Sequence, residues 1–229
     1  MVDVERIVRI YKNRVRKNEM MKALAENAAD FRDAARYAAG SVDELTAAIT
    51  AAGDIAGLQE SELTELLDAG LRASHGDVTR ICRMVQRKIN DRARLGIGTL
   101  TPEYDRQAAA DMAQALAETA ATSDALSAQL KKAVLGMVDE SIKRNFEAAG
   151  EIGLNVKITR RYDNVGLRSE TKHAEDCQWC LAREGEWDNV DEAIAAGAFE
   201  RHPGCGCVIT YEVSKTRTWS NSAGRWMDL

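Results

Sequence analysis

Cys177-Gln178-Trp179-Cys180 and His202-Pro203-Gly204-Cys205-Gly206-Cys207 hold four of the five cysteines in a chain of 229 residues. Each stretch brings two soft sulfur donors together locally. Folding the segment between them back on itself brings the pairs together, and that is the arrangement a tetrahedral structural zinc site uses. Cys177 and Cys180 are spaced as in a zinc knuckle; Cys205 and Cys207 flank Gly206, and His202 lies three residues before Cys205. The reading takes Cys177, Cys180, Cys205 and Cys207 as the ligands of a structural Zn2+. His202 is an alternative to Cys205 or Cys207, or a hydrogen-bond donor to a ligand. His173 is a more remote candidate. Disulfides or free thiols are the other uses such cysteines can have.

Around these stretches the chain changes character. After Gly153 the periodicity becomes that of strands, at Val156-Lys157-Ile158-Thr159-Arg160 and Val208-Ile209-Thr210-Tyr211-Glu212-Val213, with a short helix expected over 191–196, closed by Gly197. A unit of this size has little core of its own, and a metal staple compensates for that. The segment 160–168, rich in arginine and carrying Tyr162, reads as an exposed strand edge and turn, with nucleic-acid contact as the alternative.

Upstream of 153 the apolar spacing is helical throughout. Val4, Ile7, Val8, Tyr11 and Val15 mark an opening helix. Ser41-Val42-Asp43-Glu44 reads as a capping box that starts a helix ending at Gly53. Leu63 to Leu71 marks another helix. His75 reads as a loop residue, and Asp77 as the cap of a further helix with Val78, Ile81, Cys82, Val85 and Ile89 on one stripe; Cys82 is then a small buried hydrophobe. Thr101-Pro102 reads as the start of a helix running to about residue 121. Ser123 or Asp124 starts a last long helix with Leu126, Leu130, Val134, Met137, Val138, Ile142 and Phe146 buried. The fold class is therefore mainly α with a small C-terminal α+β module stapled by zinc: a helical region 1–152, the module 153–213, and an extended arm 214–229 bearing Trp219 and Trp226.

Composition narrows the function. A net charge of -5 argues against a broadly basic nucleic-acid binder, and 5% aromatics with two prolines argue against a β-sandwich. The opening helix is locally basic, with Arg6, Arg9, Lys12, Arg14, Arg16, Lys17 and Lys22 against Asp3, Glu5 and Glu19; it is a solvated face or a surface for DNA or an acidic partner. No apolar run approaches the ~18 residues of a membrane span, and Met1 to Arg6 contains no secretory apolar region, so synthesis in a reducing cytoplasm is expected. No Ser/His/Asp set or phosphate loop stands out. His173-Ala174-Glu175 begins like a deaminase motif, but Cys177 follows at once without a preceding proline. A non-enzymatic role is expected.

The Cys-x-x-Cys, a following Gly185, and the His-Pro-x-Cys-x-Cys with an apolar strand after it resemble the C-terminal end of the minor head proteins of tailed phages, the F-protein family of phage Mu. The resemblance covers roughly residues 153 to 213. The family's usual arginine between the last two cysteines is Gly206 here. What the resemblance implies is a virion protein in the capsid interior or at the portal vertex, made in the bacterial host cytoplasm. It would contact the portal or major capsid protein, assist head assembly or DNA packaging, and have no enzymatic activity; the basic first helix is the candidate for meeting packaged DNA. A cytoplasmic zinc-binding regulator that contacts DNA or protein, and an enzyme with a catalytic zinc, are the alternatives.

Overall fold

The computed structural model of the chain describes residues 3–52, 57–119, 122–163 and 177–214, together with the backbone of 217–220 and 225–228. Six helices come first: α1 Val4–Lys17, α2 Glu19–Asn27, α3 Phe31–Ala52, α4 Glu60–Arg92, α5 Arg106–Glu118 and α6 Ser123–Glu151. Then follow β1 Asn155–Tyr162, the one-turn α7 Gln178–Leu181, β2 Gly185–Trp187, α8 Val190–Ala195 and β3 Cys207–Ser214. The protein is mainly α with a small antiparallel sheet in the order β2-β1-β3. Where an extended arm was expected, β4 Arg217–Ser220 and β5 Arg225–Asp228 pair as a hairpin. No helix of the described residues is long and apolar enough to cross a membrane.

Helix ends follow side-chain chemistry in several places. Asp3 accepts from the Arg6 amide, Thr122 from Ala125, and Asp105 from Gln107 and Ala108, satisfying amides that an N-terminal turn leaves without partners. Three expected helix starts do not exist. Ser41 lies inside α3, buried, with its hydroxyl donating to the Ala38 carbonyl at 2.7 Å, while Glu44 turns away to bind Arg14 at 2.7 Å and Asn18 at 2.9 Å. Burial of the α3 face on both sides of Ser41 keeps the helix continuous there. Likewise α4 runs unbroken through His75, Gly76 and Asp77, because Leu71, Ser74, Val78, Ile81 and Cys82 continue one buried stripe. His75 is thus helical, and its Nε2 lies 3.0 Å from the Pro102 carbonyl. Thr101-Pro102 starts no helix; α5 begins four residues later at the stronger Asp105 cap.

One apolar core spans the boundary at 153. Tyr11, Phe31, Leu45, Leu67, Val85, Leu130, Val138 and Phe146 from the helices join Val156, Ile158, Ile209 and Tyr211 from the sheet. Tyr211 fixes the sheet on the helices, edge-on to Phe31 at 6.5 Å and to Phe146 at 6.2 Å between ring centroids.

Cys82 belongs to this core, as its stripe requires. Burial pushes its thiol up to about 12, with a Ser141 hydrogen bond opposing. Since the thiolate is the reactive form, native Cys82 should alkylate about 10^3-fold more slowly than an exposed thiol near neutral pH. Mass-spectrometric mapping after brief iodoacetamide treatment, with and without denaturant, checks this. Equal labelling in both states would show that the helix opens there.

Candidate metal centre

The two cysteine stretches meet at one end of the sheet. The knuckle of the first is α7, capped by Cys177, with the Leu181 amide on the Cys177 carbonyl at 3.0 Å and the Arg183 amide on the Cys180 carbonyl at 3.1 Å. The second begins with a tight turn. The Cys205 amide donates to the His202 carbonyl at 3.1 Å, with Pro203 and Gly204 between. Gly204 has φ +77, so Pro at the second position and Gly at the third make a type II turn. That turn swings Cys205 beside Cys180, and β3 starts at Cys207.

Five ligand atoms converge as two overlapping triads. Cys177, Cys180 and His202 lie within 4.8 Å of one another, as do Cys180, Cys205 and Cys207, and Cys180 is common to both. His202 Nε2 lies 3.1 Å from Cys180 Sγ and 3.3 Å from Cys177 Sγ, and the Cys180 and Cys205 Sγ atoms are 3.8 Å apart. All five cysteines of the chain are free thiols. The cluster can hold a metal ion. His173 lies outside the described residues.

The histidine is set up for this. Its Nδ1 lies 2.7 Å from the Pro203 carbonyl. A carbonyl only accepts, so Nδ1 carries the proton and Nε2 presents its lone pair to the sulfurs. Trp179 stands edge-on to the imidazole at 4.9 Å and is covered by the Arg183 guanidinium at 3.9 Å.

Three charged residues around the sulfurs were not foreseen as part of the site. Arg160 was read as part of an exposed edge. It is instead fully buried in the central strand, because β1 alternates and Arg160 is in phase with the inward Val156 and Ile158. That phase was the available signal. Arg161, the outward neighbour, is exposed and pairs with Glu186 at 2.9 Å. Of the remainder of that segment, 164–168 lies outside the described residues. Arg160 Nη1 donates to the carbonyls of Gly197 at 3.0 Å, Ala198 at 2.7 Å and Glu200 at 2.6 Å. The first two are presented by the left-handed turn at Gly197, φ +70, that closes α8. Arg160 Nη2 reaches Cys205 Sγ at 3.7 Å.

The second cation is Arg201. It binds the α6 carboxylate Asp139 through two parallel bonds, Nε to Oδ2 and Nη2 to Oδ1 at 2.8 Å. Its Nη1 donates to the Cys207 carbonyl at 2.9 Å and approaches Cys205 Sγ at 3.7 Å. Burial pushes the Asp139 carboxyl up, with Arg201 opposing, while burial works against the Arg201 charge and Asp139 more than restores it. Among the sulfurs, the Cys207 hydrogen bond, then Arg201 and Arg160, pull Cys205 down to about 4 against burial. Burial and Cys177 push Cys180 up to about 12, and the bond to Cys205 pushes Cys207 up. Arg160 and Arg201 both approach Cys205 Sγ at 3.7 Å, so Cys205 is the sulfur with two guanidiniums against it.

No protein-family model, curated protein or solved structure matches this chain.

Proposed function

We propose that this chain is a minor structural protein of a tailed-phage head, with a structural zinc ion held by the Cys/His cluster. The observation that supports it most is the convergence of the Cys-x-x-Cys and His-Pro-x-Cys-x-Cys stretches, far apart in sequence, on one centre beside a helical body. The donors suit zinc. They are sulfurs and an imidazole without a carboxylate in either triad, and hard cations prefer oxygen. The Cys180–Cys205 separation of 3.8 Å matches the edge of a tetrahedron with bonds of about 2.3 Å, which is about 3.8 Å. Bound there, zinc would cross-link α7 to the turn before β3 and so hold the 177–206 segment to the sheet.

Arg6, Arg9, Lys12, Arg16 and Lys17 are exposed on α1, while Arg14 is held by Glu44. This face is the candidate surface for packaged DNA or an acidic neighbour. The portal or major capsid protein is the proposed partner, and the capsid interior or portal vertex the proposed location.

Co-expression with the portal and major capsid proteins of the same genome tests the reading. The expected result is one zinc per chain by elemental analysis and retention of the chain on the purified portal or procapsid. A chain that carries zinc, stays off every head component and binds duplex DNA alone with a steep salt dependence would instead be a regulator.

A further inference from the structure

Arg160 poses an electrostatic problem that the metal reading can solve. A guanidinium stays charged in proteins, and an isolated buried charge is strongly unfavourable. Yet Arg160 is 0% exposed, and its partners are three neutral carbonyls, Cys205 Sγ and the neutral face of Trp179, whose ring centre lies 5.4 Å from the guanidinium carbon. Its Nε is buried without a partner. No carboxylate is in ion-pair contact with it among the described residues. Arg201 does not share the difficulty, because Asp139 neutralises it. Apart from the exposed Glu184 and the Arg183–Glu200 ion pair, the buried residues around the sulfurs therefore carry one positive charge in excess.

The two ligand sets differ in charge. Zn2+ with four thiolates carries two negative charges, whereas three thiolates and a neutral imidazole leave one. Only the second set cancels the excess. Proximity does not choose between Cys205 and Cys207, since both lie in the triad with Cys180. The cations do: both guanidiniums direct an N–H at Cys205 Sγ at 3.7 Å, while Cys207 offers Arg201 its carbonyl. We infer that the centre is formed by Cys177, Cys180, His202 and Cys205, that Arg160 is its buried counter-ion, and that Cys207 packs beside it without binding the metal. This rests on the zinc reading above and departs from the four-cysteine set expected from spacing.

Cobalt(II) is the probe, added to the purified full-length chain. The wild-type spectrum is expected to show the visible bands of a three-sulfur, one-nitrogen tetrahedral site, with thiolate-to-cobalt charge transfer for three sulfurs. Cys207→Ser should keep one cobalt per chain and the same spectrum, whereas Cys205→Ser should lower affinity at least about 100-fold. Arg160→Met should weaken binding about 10- to 100-fold, as loss of groups supporting a ligand does. It should also shift the charge-transfer band, and Arg160→Lys should restore much of both. A four-sulfur spectrum, or a quarter of the charge-transfer intensity lost in Cys207→Ser, would overturn the ligand set while leaving the metal reading intact. Unchanged affinity and spectrum in Arg160→Met would overturn the counter-ion. A wild-type chain that binds neither cobalt nor zinc would remove the metal reading itself.

Discussion

Asp139→Ala is expected to destabilise the folded protein by about 3–5 kcal/mol, the usual effect of removing one partner from a buried ion pair. The Asp139 side chain is 2% exposed and that of Arg201 3%, so water cannot replace the carboxylate. Arg201 would keep its bonds to the Cys207 carbonyl and Cys205 Sγ but lose its matching charge. The same pair ties α6 to the turn that carries His202 and Cys205, so its loss should be felt at the sulfurs as well as in the core. A double variant, Asp139→Leu with Arg201→Met, leaves no charge unpaired and should be less destabilising than Asp139→Ala alone. Urea titration of the three proteins, compared at equal m-value, provides the check. A loss below about 1 kcal/mol in Asp139→Ala would mean that the pair is solvated in solution and does not anchor the site.

The parts legible in the sequence are those governed by short-range pattern. β1 follows two-residue alternation, as does β3 from Ile209 onward after the consecutively buried Cys207 and Val208, and α6 shows its buried stripe from Leu126 to Phe146 with Met137 only partly buried. Gly197 closes α8 where a glycine was expected. The local cues that misled, Ser41 with Glu44 and Asp77, are residue types that cap helices well but lie inside α3 and α4 here. They were overridden because the helix on either side has a buried face that a break would expose. β2, three residues long, is too short to carry a pattern and exists by pairing with β1. At the site, the cysteines and His202 were legible because each group is local in sequence. Asp139 and Arg201, 62 residues apart, could not be paired from spacing. Arg160 could have been placed by strand parity, but a charged residue on an inward face is counted as outward by any reading that sorts by polarity.

Cys180→Ser should have the largest effect on the metal centre, because Cys180 is the one donor common to both triads and is 1% exposed. Structural zinc in small sites binds with about 10–16 kcal/mol. Shared among four ligands, that is about 2.5–4 kcal/mol each, or roughly a 10^2- to 10^3-fold loss of affinity with a poorer oxygen donor in place of sulfur. The structural consequence should be local. Val156, Ile158, Ile209 and Tyr211 share the core of the helices, so β1 and β3 have apolar contacts that do not depend on the ion. The segment 177–206 has weaker ones: Ala193 and Ala198 are buried, while its larger Trp187, Val190 and Phe199 are only partly buried against that core. Limited proteolysis of Cys180→Ser, and of wild type stripped by a chelator, should therefore cut first within 177–206, with helical circular dichroism nearly unchanged and added zinc protecting only the wild type. First cuts within β1 or β3 would show that the sheet depends on the ion for its attachment to the helices. Unaltered resistance of 177–206 in both proteins would show that the buried arginines and the type II turn hold the segment without a metal.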